Sequence, residues 1–158
     1  MKLHALLQFS AALFVSRAFE DYEVGFLRLY VPFFRLFSDT VTANFNGHLS
    51  IDSSKLELTF RLMDDGSVKE LRRQGFLNID ESGKLVLKST PQTGFSLFPP
   101  TSCLTYKENS EFELCDDLSI GFKSNCPHSL RAIIRYDGYL ARDVYEELSD
   151  FSEFDLTI

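Results

Sequence analysis

Apolar and polar side chains alternate with a period of two along most of this chain, the pattern of strands that bury one face. The clearest stretch occurs twice. Residues 47–59 read Gly-x-Leu-x-Ile-Asp-x-Ser-Lys-Leu-x-Leu, and residues 75–88 read the same with Gly83 inserted before the lysine. The copies begin at Gly47 and Gly75, 28 residues apart. In each, an apolar pair (Leu49 and Ile51, then Leu77 and Ile79) is followed by Asp-x-Ser and a second alternating run. Asp and Ser side chains bond to amides two residues on and close tight turns, so each copy predicts a β-hairpin. Gly83 supplies the positive φ that a bulged hairpin loop requires. Asp52 and Asp80 could also be read as weak calcium loops, but such short turns offer two or three oxygens where calcium takes six to eight.

The same alternation predicts strands over 22–30, 33–37, 56–63, 68–71, 95–98, 104–106, 112–114, 118–122 and 130–136. Pro32 marks a break or an edge, Asp64-Asp65-Gly66 a turn, and Pro99-Pro100 a stop. Turn signals at short, regular intervals predict an all-β fold: an antiparallel sandwich or barrel built from hairpins. Beyond it the period changes. Leu140, Val144, Leu148 and Phe151 are spaced as one face of a helix. Three segments follow: a signal peptide over 1–18, a β domain over 19–139, and a short helix with an acidic tail over 140–158.

The signal reading rests on Lys2, the apolar run over 6–15, and the small residues Ser16 and Ala18 beside Arg17. Cleavage between Ala18 and Phe19 would leave 140 residues, enough for one domain with a sizeable core. It would also move the net charge from −7 to −9 by removing Lys2 and Arg17. So acidic a chain suits neither nucleic acid nor an anionic membrane surface. No later stretch has the apolar length of a membrane span, since Arg28, Pro32 and Arg35 interrupt the most apolar one.

Three cysteines, Cys103, Cys115 and Cys126, leave one bridge and one leftover thiol. Cys103–Cys126 is the favoured pairing and Cys115–Cys126 its rival. In residues 111–115 the alternation puts Cys115 on the face opposite Phe112 and Leu114, where it would be a partly exposed free thiol able to link two copies. The spacing does not suit zinc. His48 stands where the second copy has Phe76, which reads as packing rather than catalysis, and His128 follows Cys126-Pro127 at the start of a strand. No nucleophile elbow, phosphate loop or zinc-protease motif is present, so no catalytic, cofactor or metal residue is assigned. There is no Asn-x-Ser/Thr glycosylation site either. Sixteen Phe and no Trp leave Tyr as the residue for stacking on a sugar, with Tyr106 and Tyr136 as candidate glycan contacts.

Residues 75–80, Gly83-Lys84-Leu85, 95–103, 106–114 and 126–132 together resemble small yeast cell-wall and cell-surface proteins of the GPI-anchored mannoprotein type. The resemblance implies a secreted, disulfide-bridged β domain and supports the Cys103–Cys126 pairing. The chain departs from that pattern in its lack of an apolar tail and of a Ser/Thr-rich stalk, and in the extra Cys115. The expected function is that of a secreted, non-enzymatic cell-surface or cell-wall-associated protein. Its expected partner is a wall polysaccharide or a surface protein. The alternatives are a secreted carbohydrate-binding module and, behind it, a glycan-active enzyme.

Overall fold

The computed structural model describes residues 23–32, 38–52 and 57–140. Among these residues there is no helix, and the fold is all-β. In chain order the strands are β1 (Glu23–Tyr30), β2 (Ser38–Ala43), β3 (Leu49–Ile51), β4 (Phe60–Leu62), β5 (Val68–Glu70) and β6 (Phe76–Ile79). They continue as β7 (Leu85–Lys88), β8 (Phe95–Phe98), β9 (Cys103–Tyr106), β10 (Phe112–Leu114), β11 (Ile120–Gly121) and β12 (Leu130–Leu140). Every pairing is antiparallel.

The longest ladder joins the two ends of the domain, with β1 against β12 from Glu23↔Leu140 to Tyr30↔Ile133. From there pairing runs outward on both sides, through β4 to β5 and through β9 to β8. At the far ends of that series, the Phe95 amide of β8 donates to the carbonyl of Gly66, in the turn between β4 and β5, at 2.9 Å. The inward positions of these strands alternate as the pattern predicts. Leu27 and Leu29 of β1, Val68 of β5, Leu104 of β9, and Ala132 and Ile134 of β12 are all buried. Phe60, Phe95 and Tyr136, from β4, β8 and β12, are buried in the same core.

Three further hairpins, β2–β3, β6–β7 and β10–β11, share one turn geometry. In each, the fourth turn residue donates its amide to the first: Gly47 to Asn44 at 3.1 Å, Gly83 to Asp80 at 3.0 Å and Leu118 to Cys115 at 2.9 Å. That fourth residue has positive φ in all three, at 81°, 83° and 61°. This is a type I turn followed by a left-handed residue, the common three-residue hairpin connection. Gly66 closes the β4–β5 turn in the same way, with φ 78°.

These three hairpins are tied in a ring by equivalent bonds. Leu87 donates to Gly47, Phe122 to Gly83 and Ile51 to Leu118, at 2.8, 2.8 and 3.1 Å. Positions 47, 83 and 118 are 36 and 35 residues apart, so the structural unit recurs three times with a period near 36.

This arrangement corrects the twofold reading. The second copy is a hairpin as expected, with Ile79↔Leu85 next to its turn. The first is not. β3 pairs backward with β2 through Val41↔Ile51, and residues 57–59 lead into β4, which pairs with β1 and β5. The turn that wins precedes Leu49: Asn44 Oδ1 accepts the amides of Asn46 and His48, each at 3.0 Å, and Gly47 takes the left-handed conformation. Residues 53–56, which run from the expected turn of the first copy to the start of the strand expected over 56–63, lie outside the described residues, as do the strand expected over 33–37 and the cleavage site at Ala18 and Phe19. The predicted C-terminal helix is not supported. Leu140, its expected first residue, is the last residue of β12 and pairs with Glu23, and residues 141–158 lie outside the described residues.

Candidate functional site: the cap where three hairpin turns meet

The ring of hairpins brings the first, second and third turns (44–48, 80–84 and 115–119) side by side. The residue after the left-handed position is His48, Lys84 or Ser119. His48 Nε2 lies 3.1 Å from Asp80 Oδ2 of the second turn. Lys84 Nζ lies 2.5 Å from Asp117 Oδ2 of the third. Two of the three junctions between turns are therefore bridged by a donor from one turn and a carboxylate from the next. Ser119 is shorter, and its hydroxyl donates to Asp117 within its own turn at 2.5 Å.

Hydrogen bonds set the charge states of the two carboxylates. Partial burial alone would raise Asp80, but the Ser82 hydroxyl, the amides of Lys84 and Ser82, and His48 together outweigh it and bring its pKa down to about 2. Asp117 falls to about 2 as well, through hydrogen bonds from Lys84 and then Ser119. Both are anions across the physiological range.

The third junction, between the third turn and the first, opens into a cavity of about 170 Å³ lined by Asn44, Ser50, Ile51, Lys84, Leu118 and Ser119 among others. A second cavity, about 310 Å³, lies across the Lys84–Asp117 pair and is walled by Asp116, Asn125 and the Cys115–Cys126 bridge. Among the described residues, no group of His, Cys, Asp and Glu is arranged to hold a metal ion.

The disulfide differs from the favoured pairing. Cys115 is joined to Cys126, with Cα atoms 5.6 Å apart, and Cys103 is free. The reason is local. Cys115 follows β10, and its amide donates to Ser119 to close the third turn. After β11 the chain folds back because Glu113 accepts both the amide and the hydroxyl of Ser124, at 3.0 and 2.5 Å, which sets Cys126 beside Cys115. Cys103 is instead in β9, paired with Phe98 and Arg135. Cys115 is thus buried rather than exposed, and the thiol expected for a Cys115-linked dimer is used within the chain.

The two candidate glycan contacts also move. Tyr106 and Tyr136 are 8% and 4% exposed. The Tyr106 hydroxyl takes a hydrogen bond from Gln92 at 2.8 Å, and its ring packs against Phe95 and Phe122. The Tyr136 hydroxyl donates toward the carbonyls of Phe60 and Glu23, and burial raises its pKa well above the ordinary tyrosine value. Both are core side chains with satisfied hydroxyls, so neither offers a face to a sugar. His48, expected as a packing residue, is in the cap with an acidic partner.

No known protein family, curated protein or solved structure matches the chain.

Proposed function

We propose that the chain is an exported, non-enzymatic domain that works at a cell surface or in a cell wall. The observation that carries this reading is the Cys115–Cys126 bridge. It staples the third hairpin to the segment that follows it, and such structural bridges persist in oxidising compartments. The apolar segment over 6–15 with Lys2 before it agrees with export. No helix among the described residues is long and apolar enough to cross a membrane.

For the finer architecture we infer a small barrel of β1, β4, β5, β8, β9 and β12, capped at one end by the three hairpins. This is the arrangement called a β-trefoil. It is supported by the bond from Phe95 of β8 to Gly66 in the β4–β5 turn, by the burial of Phe60, Phe95 and Tyr136 in one core, and by the ring of equivalent hairpin bonds. Such a barrel is a rigid platform whose turns are free to vary, and this suits recognition.

The test is intact mass and non-reducing peptide mapping of the natural product, with medium, wall and cell fractions separated. The expected chain starts at Phe19, is found outside the cell or in the wall, and has Cys115 linked to Cys126. A cytosolic chain that keeps Met1 and carries three free thiols would overturn the proposal.

A further inference from the structure

The β2–β3 turn carries Phe45, the most exposed large apolar side chain among the described residues. Two other segments hold this turn in place. Leu87 of β7 donates its amide to Gly47 at 2.8 Å, and the Arg73 guanidinium lies 3.4 Å from the Asn44 carbonyl. Beside them is a cavity of about 350 Å³ whose charged wall residues are Arg73 and Lys88. The surface continues across β6 and β5: Phe76 pairs with Lys88, and Lys69 Nζ lies 6.0 Å from the Phe76 ring. Among the described residues, no carboxylate lines the cavity. Glu70, the acid nearest to Arg73 in sequence, is fully buried and accepts the amides of Arg72 and Arg73. A cationic and aromatic surface on a chain of net charge −7 favours an occupant that is both acidic and apolar.

The chain itself supplies such a segment. Residues 141–158, outside the described residues, carry six carboxylates against Arg142 alone, which is −5 of the net charge of −7. Within them, 150–155 reads Asp-Phe-Ser-Glu-Phe-Asp. We propose that residues 150–155 dock on this surface of their own chain, with a phenylalanine against Phe45 and the carboxylates beside Arg73 and Lys88. Exposed ion pairs alone are weak, so the aromatic contact supplies most of the attraction and the charges select an acidic segment. The reach is sufficient. Ten residues separate Leu140, the end of β12, from Asp150, and they span up to about 35 Å, against a radius of gyration of about 14 Å for a domain of this size. The tether also holds segment and surface at an effective concentration in the millimolar range. An interaction with a Kd of about 1 mM, too weak to matter between separate molecules, then keeps about half of the chains docked. The proposal concerns the folded chain wherever the cell keeps it, so it can fail without touching the export reading.

The experiment follows the amide spectrum of the ¹⁵N-labelled full chain, in wild type and in variants of exposed residues. Phe151→Ala with Phe154→Ala should shift the amides of 45–47, 73–75 and 88–89, and raising salt from about 20 to about 500 mM should move the wild type in the same direction. Reciprocally, Phe45→Ala should shift the amides of 150–155. Loss of one aromatic contact weakens docking about fivefold, which takes the docked fraction from about one half to below about one fifth. Arg73→Glu with Lys88→Glu should release the segment too, and adding Asp150→Lys with Glu153→Lys should restore it. Unchanged core amides of Leu104 and Ile134 would certify each fold. If the charge reversals perturb them, Phe45→Ala carries the test. Segment amides that ignore Phe45→Ala, or surface amides that ignore the loss of both phenylalanines, would overturn the proposal. So would shifts that grow with protein concentration alongside a dimer in sedimentation, because the occupant would then be the segment of a second copy.

Discussion

Gly83→Ala should be the most damaging glycine substitution in the hairpin turns, because two costs add there. The first is shared with Gly47 and Gly66. All three have φ near +80°, where an L side chain costs about 1–2 kcal/mol. Against this, alanine restricts the unfolded chain and returns about 0.4–1 kcal/mol. The second cost is particular to Gly83. A Cβ there would lie 2.7 Å from Ser124 Cα and 3.0 Å from the Phe122 carbonyl oxygen. At Gly47 and Gly66 the nearest atoms are carbonyl oxygens at 3.1 and 3.2 Å. Ser124 cannot easily withdraw, since Glu113 holds its amide and hydroxyl and the Cys126 bridge lies two residues on. Overpacking against held backbone costs about 1–3 kcal/mol. Gly83→Ala is therefore expected to lose about 3 kcal/mol, and Gly47→Ala and Gly66→Ala about 1 kcal/mol each. Equilibrium unfolding in urea, with the slope checked for constancy, measures all three. If Gly83→Ala falls within about 0.5 kcal/mol of Gly47→Ala, the claim that Ser124 is rigidly placed is wrong. The third turn shows that φ alone does not decide the residue: Leu118 occupies the same left-handed position, with its side chain half exposed.

Cys126→Ser should destabilise the oxidised protein by about 3 kcal/mol through the loop closed by the bridge, while Cys103→Ser stays nearly neutral. A loss for Cys103→Ser as large as that for Cys126→Ser in thermal melts would restore the Cys103–Cys126 pairing. Glu70 is fully buried and accepts the amides of Arg72 at 2.9 Å and Arg73 at 2.5 Å. Glu70→Ala should therefore cost about 2–3 kcal/mol in urea unfolding, and a loss under about 0.5 kcal/mol would show that those amides find other partners. In acid, Asp80 and Asp117 have folded values near 2 against an ordinary 3.8, so folding favours their anions. That contribution is complete above the ordinary value and is lost as pH falls toward 2. Melting temperature should decline through this window more steeply in wild type than in Asp80→Asn or Asp117→Asn, and salt should narrow the gap. Parallel profiles would refute the link between these carboxylates and stability.

Much of the β architecture could be read from period-two alternation. β8, Phe95–Phe98, and β10, Phe112–Leu114, match their expected ranges, and the β6–β7 hairpin closes where Gly83 demands. The repeat misled because two unrelated glycines begin similar apolar strings. Gly47 is a left-handed turn residue, whereas Gly75 precedes β6 without positive φ. The true threefold unit hides because its copies keep apolar character rather than identity: Leu49, Leu85 and Ile120 are equivalent, as are Ile51, Leu87 and Phe122. Cores tolerate such exchanges as long as volume and pattern hold. The tyrosines were more legible. Tyr106 has the parity of buried Leu104, and Tyr136 that of Ile134, so strict alternation places both rings inside. The disulfide was not legible, because it depends on the Glu113–Ser124 contact, a side-chain event across the hairpin that spacing does not encode.

The cap was missed for a related reason. Its four bridging groups come from turns about 36 residues apart and meet only after the hairpins close their ring. Repetition forces the inward positions of each copy toward the same apolar volume, because one core must accept all three. No such demand acts on the residue after the left-handed position, where His48, Lys84 and Ser119 have diverged. A symmetric ring of long side chains would have closed every junction of the cap. One short residue leaves a single polar opening. In a fold built from near-equivalent units, the break in equivalence is the place where selection for something other than folding can act.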